Sequence, residues 1–458
     1  MKLVPLLLLM SAVPLAAQVR TIDDFEQPAA WSAVPGEGVE LRIAAGPGRN
    51  GGAARLDFDF QGRGGYAVAH RAVDLALPAN YELAFWIRGS APSNTLEFKL
   101  IDSTGANVWW SVRREFVPPA EWTRVVIPRR HISFAWGPAG GGDLRRVAAI
   151  EIAITAGTGG KGTIWLDDLT LEEREPVREY VSVPRLEKSD SAITVDFGQV
   201  RVFGGLILDW TGVPPSVHLE VSGDGRRWES LADSVQLHAP RSYLRLPEAE
   251  SRWLRLKFLA PLRADTGLQA LAAQPAEWAT SRTPMLRAIA ADAPPGTYPR
   301  YFLDRQSYWT VVGSPDDSSE ALMSEDGAIE VTPGGPSLEP FVFRGARLLT
   351  WRDASITQTL AGGDLPIPSV RLDWGDVALE VTAAAPVEGA VGPVAVRYRL
   401  YNRRATGAEP PSLVVALRPW QVNPPWQFLN NPGGPADVGS VELDVRWIRV
   451  NGEPLVRI

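Results

Sequence analysis

The chain has 458 residues, 45% hydrophobic and 22% charged, with a formal net charge of -7 at pH 7. That length suggests about three domains, and the composition lets each third bury a core of its own. Five Lys against 41 Arg, scattered among strand-like runs, exclude a phosphate-tracking surface and hence nucleic acid; zero Cys excludes disulfides, a thiol nucleophile and Cys-ligated zinc.

In chain order, "MKLVPLLLLMSAVPLAA" joins a lone Lys2 to an apolar run and small residues at Ala16 and Ala17. This predicts a secretory signal peptide over residues 1–17, with a mature start near Gln18 and an exported, soluble protein, periplasmic or extracellular. No later segment reaches the roughly 18 uninterrupted apolar residues of a membrane span.

A first block, residues 18–174, holds "YELAFWIRG", "NTLEFKLID", "TRVVIP", "AAIEIAIT" and "GTIWLDDLTLE". These short runs are rich in β-branched and aromatic residues, bounded by Gly, Pro or Asn, and spaced as in an antiparallel sandwich. A charged, proline-interrupted stretch, "EEREPVREYVSVPRL", marks the first boundary. The second block, 180–275, runs from "AITVDFGQVRVFGGLILDW" through a Ser222-Gly223-Asp224-Gly225 turn to "SYLRLPEAESRWLRLKFL"; Asp-Gly supplies the positive φ a tight hairpin needs. Residues 276–297 read as a helical linker, with a helix over 281–294 capped by Ser281 or Thr283 and ended by Pro294-Pro295. The third block, 298–458, is again strand-rich. The fold class expected is therefore all-β, three consecutive antiparallel β-sandwich or jelly-roll domains with few helices.

Trp is the side chain on which sugars stack: its flat face covers the C–H face of a pyranose and its N–H bonds a hydroxyl. There are 17. Those within alternating strand runs, Trp86, Trp165, Trp210, Trp253 and Trp447, read as core. Loop candidates are Trp109 and Trp110 in "GANVWWSVRREF" and Trp136 in "HISFAWGPAGGGD". Neighbours on a strand point to opposite faces, so only one of Trp109 and Trp110 can meet a ligand. Arg113 shares the face of Trp109, as a sugar contact or as a structural cation–π partner. The carboxylates Asp316-Asp317, Glu320 and Glu325-Asp326 sit in polar turns and read as solvated, so no catalytic residue is assigned.

"IDDFEQPAAW" and "IWLDDLTLE", which bracket the first block, resemble the jelly-roll carbohydrate-binding modules of the family 11 type. In the second, "VDFGQV", "SGDGRRW" and "WLRLKF" resemble the discoidin (coagulation factor 5/8 type C) domain, and both families share a galactose-binding-like sandwich. The third block, with "YPRYFLDRQSYWTVVGSPDDSSEALMSEDGAIEV" and "RPWQVNPPWQFLN", is similar to the β-sandwich that precedes an (α/α)6 toroid in bacterial six-hairpin glycosidases.

The resemblances imply polysaccharide binding by the non-catalytic N-terminal region of a glycoside hydrolase whose catalytic toroid lies in a further domain or subunit. The alternative is a stand-alone envelope adhesin or glycan-binding protein. Modules of the first kind often hold a structural Ca²⁺, for which Asp24, Glu26 and Asp168 are the ligands chosen; a solvated acidic edge is the other reading of these carboxylates. Around Pro424-Pro425 a projecting loop is expected, with Trp420, Gln421, Asn423, Trp426 and Gln427 lining a substrate entrance or sealing an interface with the toroid.

Overall fold

The computed structural model describes residues 19–174, 183–313, 320–385, 394–403, 409–425, 428–429 and 431–457. It is nearly all β, 58% strand and 7% helix, in several antiparallel sheets. The chain divides into two compact units, residues 1–179 and 180–458.

The first unit packs two six-stranded sheets on one core. One sheet runs Glu40–Pro47, Gly52–Asp59, Lys161–Glu173, Tyr81–Ser90 and Thr123–Pro128, with Val19–Asp23 also paired to Lys161–Glu173. The other runs Ser133–Trp136, Val108–Phe116, Asn94–Asp102, Arg146–Thr155, Tyr66–Ala76 and Ser32–Pro35. Alternation sets the faces. Ile150, Ile152 and Ile154 enter the core beside Leu96, Phe98 and Leu100, which turns Glu151, Glu97 and Lys99 to the opposite face of the sheet.

The second unit holds two larger cores. Over residues 185–274 one six-stranded sheet supplies the first, joined by Leu237 from the connection between two of its strands. Its long strands Ala192–Thr211 and Arg241–Phe258 lose register between Asp196 and Arg201, and both halves then face one interior, where Phe197 meets Phe203 with ring centroids 5.7 Å apart. Beyond it, residues 309–418 form a sandwich of a six-stranded and a four-stranded sheet around Val342, Leu379 and Val381.

The expected linker is a packed element. Helices Glu277–Thr280 and Thr283–Asp292 lie against the Ala192–Thr211 and Arg241–Phe258 strands, with Trp278 buried. Gly204 and Gly205 permit this approach: a Cβ on Gly205 would stand 2.6 Å from the Trp278 ring. Asp292 fixes the other end, accepting from Arg241 at 2.7 Å and from the Tyr243 hydroxyl.

Three expectations from the sequence need correcting. Of the strand tryptophans read as core, only Trp210 is buried. Trp86, Trp165 and Trp253 lie half-buried under arginines, with Arg49 4.1 Å, Arg88 4.8 Å and Arg252 5.2 Å from the respective ring centroids; Trp447 is half-buried on a small C-terminal sheet. Alternation explains this, because Phe85 and Ile87 take the core side around Trp86. Second, Asp326 is not solvated: it is largely enclosed and takes a bidentate bond from Arg300, at 2.7 and 2.9 Å.

The third correction concerns the loop around Pro424-Pro425. Trp420, Gln421 and Asn423 are 3%, 4% and 2% exposed, so this stretch lies inside the fold. Trp420 packs on Tyr298 and Phe302. The buried Glu330 carboxylate accepts the N–H groups of Val422 (2.8 Å), Asn423 (3.0 Å) and Gly334 (2.8 Å). The stretch pairs locally, Gln421 N–H to Gly434 O at 2.7 Å and Gly434 N–H to Asn423 O at 2.8 Å, and the remaining Val422 and Asn423 donors are met by the carboxylate. Trp426 and Gln427 lie outside the described residues, as do Asp316 and Asp317.

Candidate glycan-binding face

On the outer face of the Ser133–Trp136 to Ser32–Pro35 sheet, one cross-strand row passes through all six strands: Ser133, Trp110, Lys99, Glu151, His70, Ser32. At about 4.8 Å per strand the row is roughly 24 Å long. Trp136 stands edge-on to Trp110 with centroids 5.4 Å apart, and is 48% exposed. Its strand breaks register between Phe134 and Trp136, which turns the indole to this face. The following loop is pinned where Asn107 Oδ1 accepts the Ala139 N–H at 2.7 Å. At the far side of the same face Tyr66 is 47% exposed.

Between the aromatic groups lies a closed set of charges. Lys99 Nζ is 2.9 Å from Glu97 and 3.9 Å from Glu151, and Glu151 is 3.1 Å from His70 Nδ1. Lys99 and Glu97 are only 8% and 7% exposed, so these charges are fixed by one another before any ligand arrives. The Lys99 ammonium also sits 5.6 Å from the Trp136 ring centroid. The face therefore offers indole planes for C–H stacking, with hydroxyl-bonding groups already oriented between them.

The predicted residues divide accordingly. Trp110 and Trp136 come together on this face. Trp109 is buried on the opposite one, its indole donating to Gly142 O at 2.9 Å and its ring edge-on to Phe134. Arg113 lies opposite the core residue Leu96 in register and donates to Val126 O at 2.9 Å. The sequence reading missed Tyr66, His70, Lys99 and Glu151. Their signal was a charged or aromatic residue between the core-facing places of "YAVAH", "LEFKL" and "IEIAI", with only Val68 and Ala153 breaking the pattern.

The three predicted calcium ligands do not converge. Glu26 Oε1 accepts the Gly52 N–H at 2.8 Å, Asp24 Oδ1 accepts the Glu26 N–H at 3.2 Å, and Asp168 pairs with Arg49 at 3.3 Å. Among the described residues no three His, Asp or Glu side chains gather as a metal site. Asp23, in the same motif, is buried and structural: it accepts the Phe25 N–H and the Trp31 indole, each at 2.7 Å, and pairs with Arg71. Asp167 differs from the rest. Its Oδ2 accepts the Arg49 N–H at 2.7 Å while the enclosed Oδ1 has no hydrogen bond, and burial raises its pKa above the ordinary carboxylate value.

No protein-family model and no curated protein matches this chain. Among solved structures it is similar to a family 11 carbohydrate-binding module from Clostridium thermocellum in complex with a β-1,3-1,4-mixed-linked tetrasaccharide. That similarity is at 20% identity over 33% of this chain and 94% of the other, with a TM-score of 0.29. It is also similar to the family 30 module of the cellulosomal cellulase Cel9D-Cel44B of the same organism, at 15% identity over 34% and 96% of the two chains, TM-score 0.27. Among the described residues no helix is long and apolar enough to cross a membrane.

Proposed function

We propose that residues 19–174 bind an uncharged polysaccharide on the face that carries Trp110 and Trp136. The observation that supports this most is the six-strand row with an aromatic pair at one end. A polymer laid across it meets indole planes and then oriented polar groups, each contact modest and the sum specific. Charge selects the ligand class. Lys99 is held between Glu97 and Glu151, so a uronate polymer would meet two carboxylates at the middle of the row, with the one cation there already engaged.

Gel-retardation electrophoresis of the full chain in a panel of soluble polysaccharides tests the reading. At least one neutral glucan, xylan or mannan should retard it, polygalacturonate should not, and Trp110→Ala/Trp136→Ala should abolish retardation. Absence of retardation by every polymer, or retardation untouched by the double substitution, overturns it.

The wider role follows from the resemblances of the three blocks: an exported, non-catalytic N-terminal region of a glycoside hydrolase, presenting polymer to a helical catalytic toroid. Residues 1–17 support the export. An (α/α)6 repeat with acidic loops in the same or the adjacent reading frame, and a secreted protein starting near Gln18 by N-terminal sequencing, are the expected findings; unrelated neighbouring genes count against the catalytic partner. A calcium ion in the first unit remains part of this proposal, supported by the unbonded, buried Asp167 Oδ1 rather than by Asp168. Chelator should then lower the melting temperature of the full chain, Asp167→Asn should abolish that effect, and an unchanged melting curve would remove calcium from the account.

A further inference from the structure

A second recess lies in the other unit, between the two sheets of the 309–418 sandwich, with a volume of about 280 Å³. Each sheet contributes its edge strand: Trp309–Val312 from one and Ser355–Ala361 from the other. The floor is apolar and rigid, because Met323 and Val370 belong to the sandwich core. The rim carries Tyr308, 61% exposed, beside Trp309 and Leu360. The polar groups on the core-facing side are a neutral hydroxyl and an amide, since Thr310 pairs with Met323 and Gln358 with Val370, whereas Thr359 and Ser369 turn to the opposite face, where Ser369 Oγ meets Thr382. The one carboxylate on the wall, Glu325, faces Arg300 at 3.5 Å and accepts the Tyr308 N–H at 3.1 Å.

An aromatic rim, an apolar floor and uncharged hydrogen-bonding walls match the two-sided chemistry of a sugar ring. A pyranose presents C–H groups to a π face and hydroxyls around its edge. The recess is smaller than the roughly 300–1,000 Å³ of pockets for drug-sized ligands, which sets the ligand at one or two rings rather than a long chain. We infer that this recess is a second carbohydrate site, specific for a single uncharged pyranoside unit stacked on Tyr308 and hydrogen-bonded by Gln358 and Thr310.

The site does not depend on the first unit binding anything, and its test keeps the two apart. Full chain carrying Trp110→Ala/Trp136→Ala is titrated with methyl pyranosides and disaccharides of the common neutral hexoses and pentoses, with saturation-transfer NMR as the readout. At least one should bind in the millimolar range. Tyr308→Ala and Gln358→Ala, both at exposed side chains, should each weaken it about tenfold, a loss on the scale of one stacking or hydrogen-bonding contact. If no sugar of the panel binds in that background, or if both substitutions leave the affinity within about twofold, the recess is not a sugar site. Failure of the first unit to bind is read separately, from the unsubstituted chain on polysaccharides.

Discussion

The Trp420 indole donates its hydrogen bond to the carboxylate of Glu339, inside the second unit and away from solvent. Ser337 Oγ lies 3.5 Å from the same oxygen, and the Arg418 guanidinium stacks 4.2 Å from the Trp420 ring centroid. Burial pushes the Glu339 pKa up to about 7, with the nearby Asp326 carboxylate adding to the rise and Arg418 and the Trp420 hydrogen bond opposing it.

The sign of the resulting pH dependence follows. A raised carboxyl pKa means the folded state holds its proton more tightly, so the contribution is complete below the unfolded value near 4.5. It falls as pH rises toward 7 and is constant above. The difference amounts to about 3 kcal/mol. Thermal unfolding of the full chain at pH 5 and pH 8 should show a loss with rising pH that Glu339→Gln reduces. A slope identical in the variant would mean that Glu339 does not carry it.

Trp420→Ala empties a buried site among Tyr298 and Phe302 and should cost about 3–5 kcal/mol. Trp420→Phe keeps much of the packing and removes only the donor to Glu339, with an expected cost of about 1–3 kcal/mol. Neither should change polysaccharide binding by the first unit. Urea denaturation and gel retardation on the same preparations check both halves.

Trp109 and Trp110 are adjacent in sequence and should behave oppositely. Trp109→Ala lowers the stability of the first unit by about 3–5 kcal/mol, with binding retained by the fraction that is folded. Trp110→Ala should leave the unfolding midpoint nearly unchanged and weaken polysaccharide binding about tenfold or more. Equal effects of the two on binding would contradict the assignment of faces.

Asp23→Asn keeps the size of the side chain but leaves the Arg71 guanidinium without its carboxylate. A loss of about 3 kcal/mol is expected, since removing one member of a buried pair strands the other. The readout is the denaturant midpoint of the first-unit transition, and a shift under about 0.5 kcal/mol would show that the pair is not needed.

Strands and their faces were legible because the side-chain period of two is written directly in runs such as "AAIEIAIT". The same alternation shows why a strand tryptophan is not automatically core: Trp86 stands between two core residues and so points away from them. What could not be read was what depends on distant partners. Nothing near Pro424-Pro425 announces that Glu330, about ninety positions earlier, takes the backbone donors of Val422 and Asn423. Nor does "EDG" show that Asp326 is enclosed by Arg300. The candidate face was half legible: its aromatic residues lie in unusual local contexts, but Lys99, Glu151 and His70 become neighbours only through the order of strands in the sheet.

The row from Ser133 to Ser32 draws one residue from each of six strands, and this makes the face modular in inheritance. On the proposed reading, a substitution at any outward position would alter one point of contact with a polymer laid along the row, while the core residues on either side of it, and the rest of the row, stay as they are. A preference among glycans would then be acquired one strand at a time, without passing through an unfolded intermediate in sequence space.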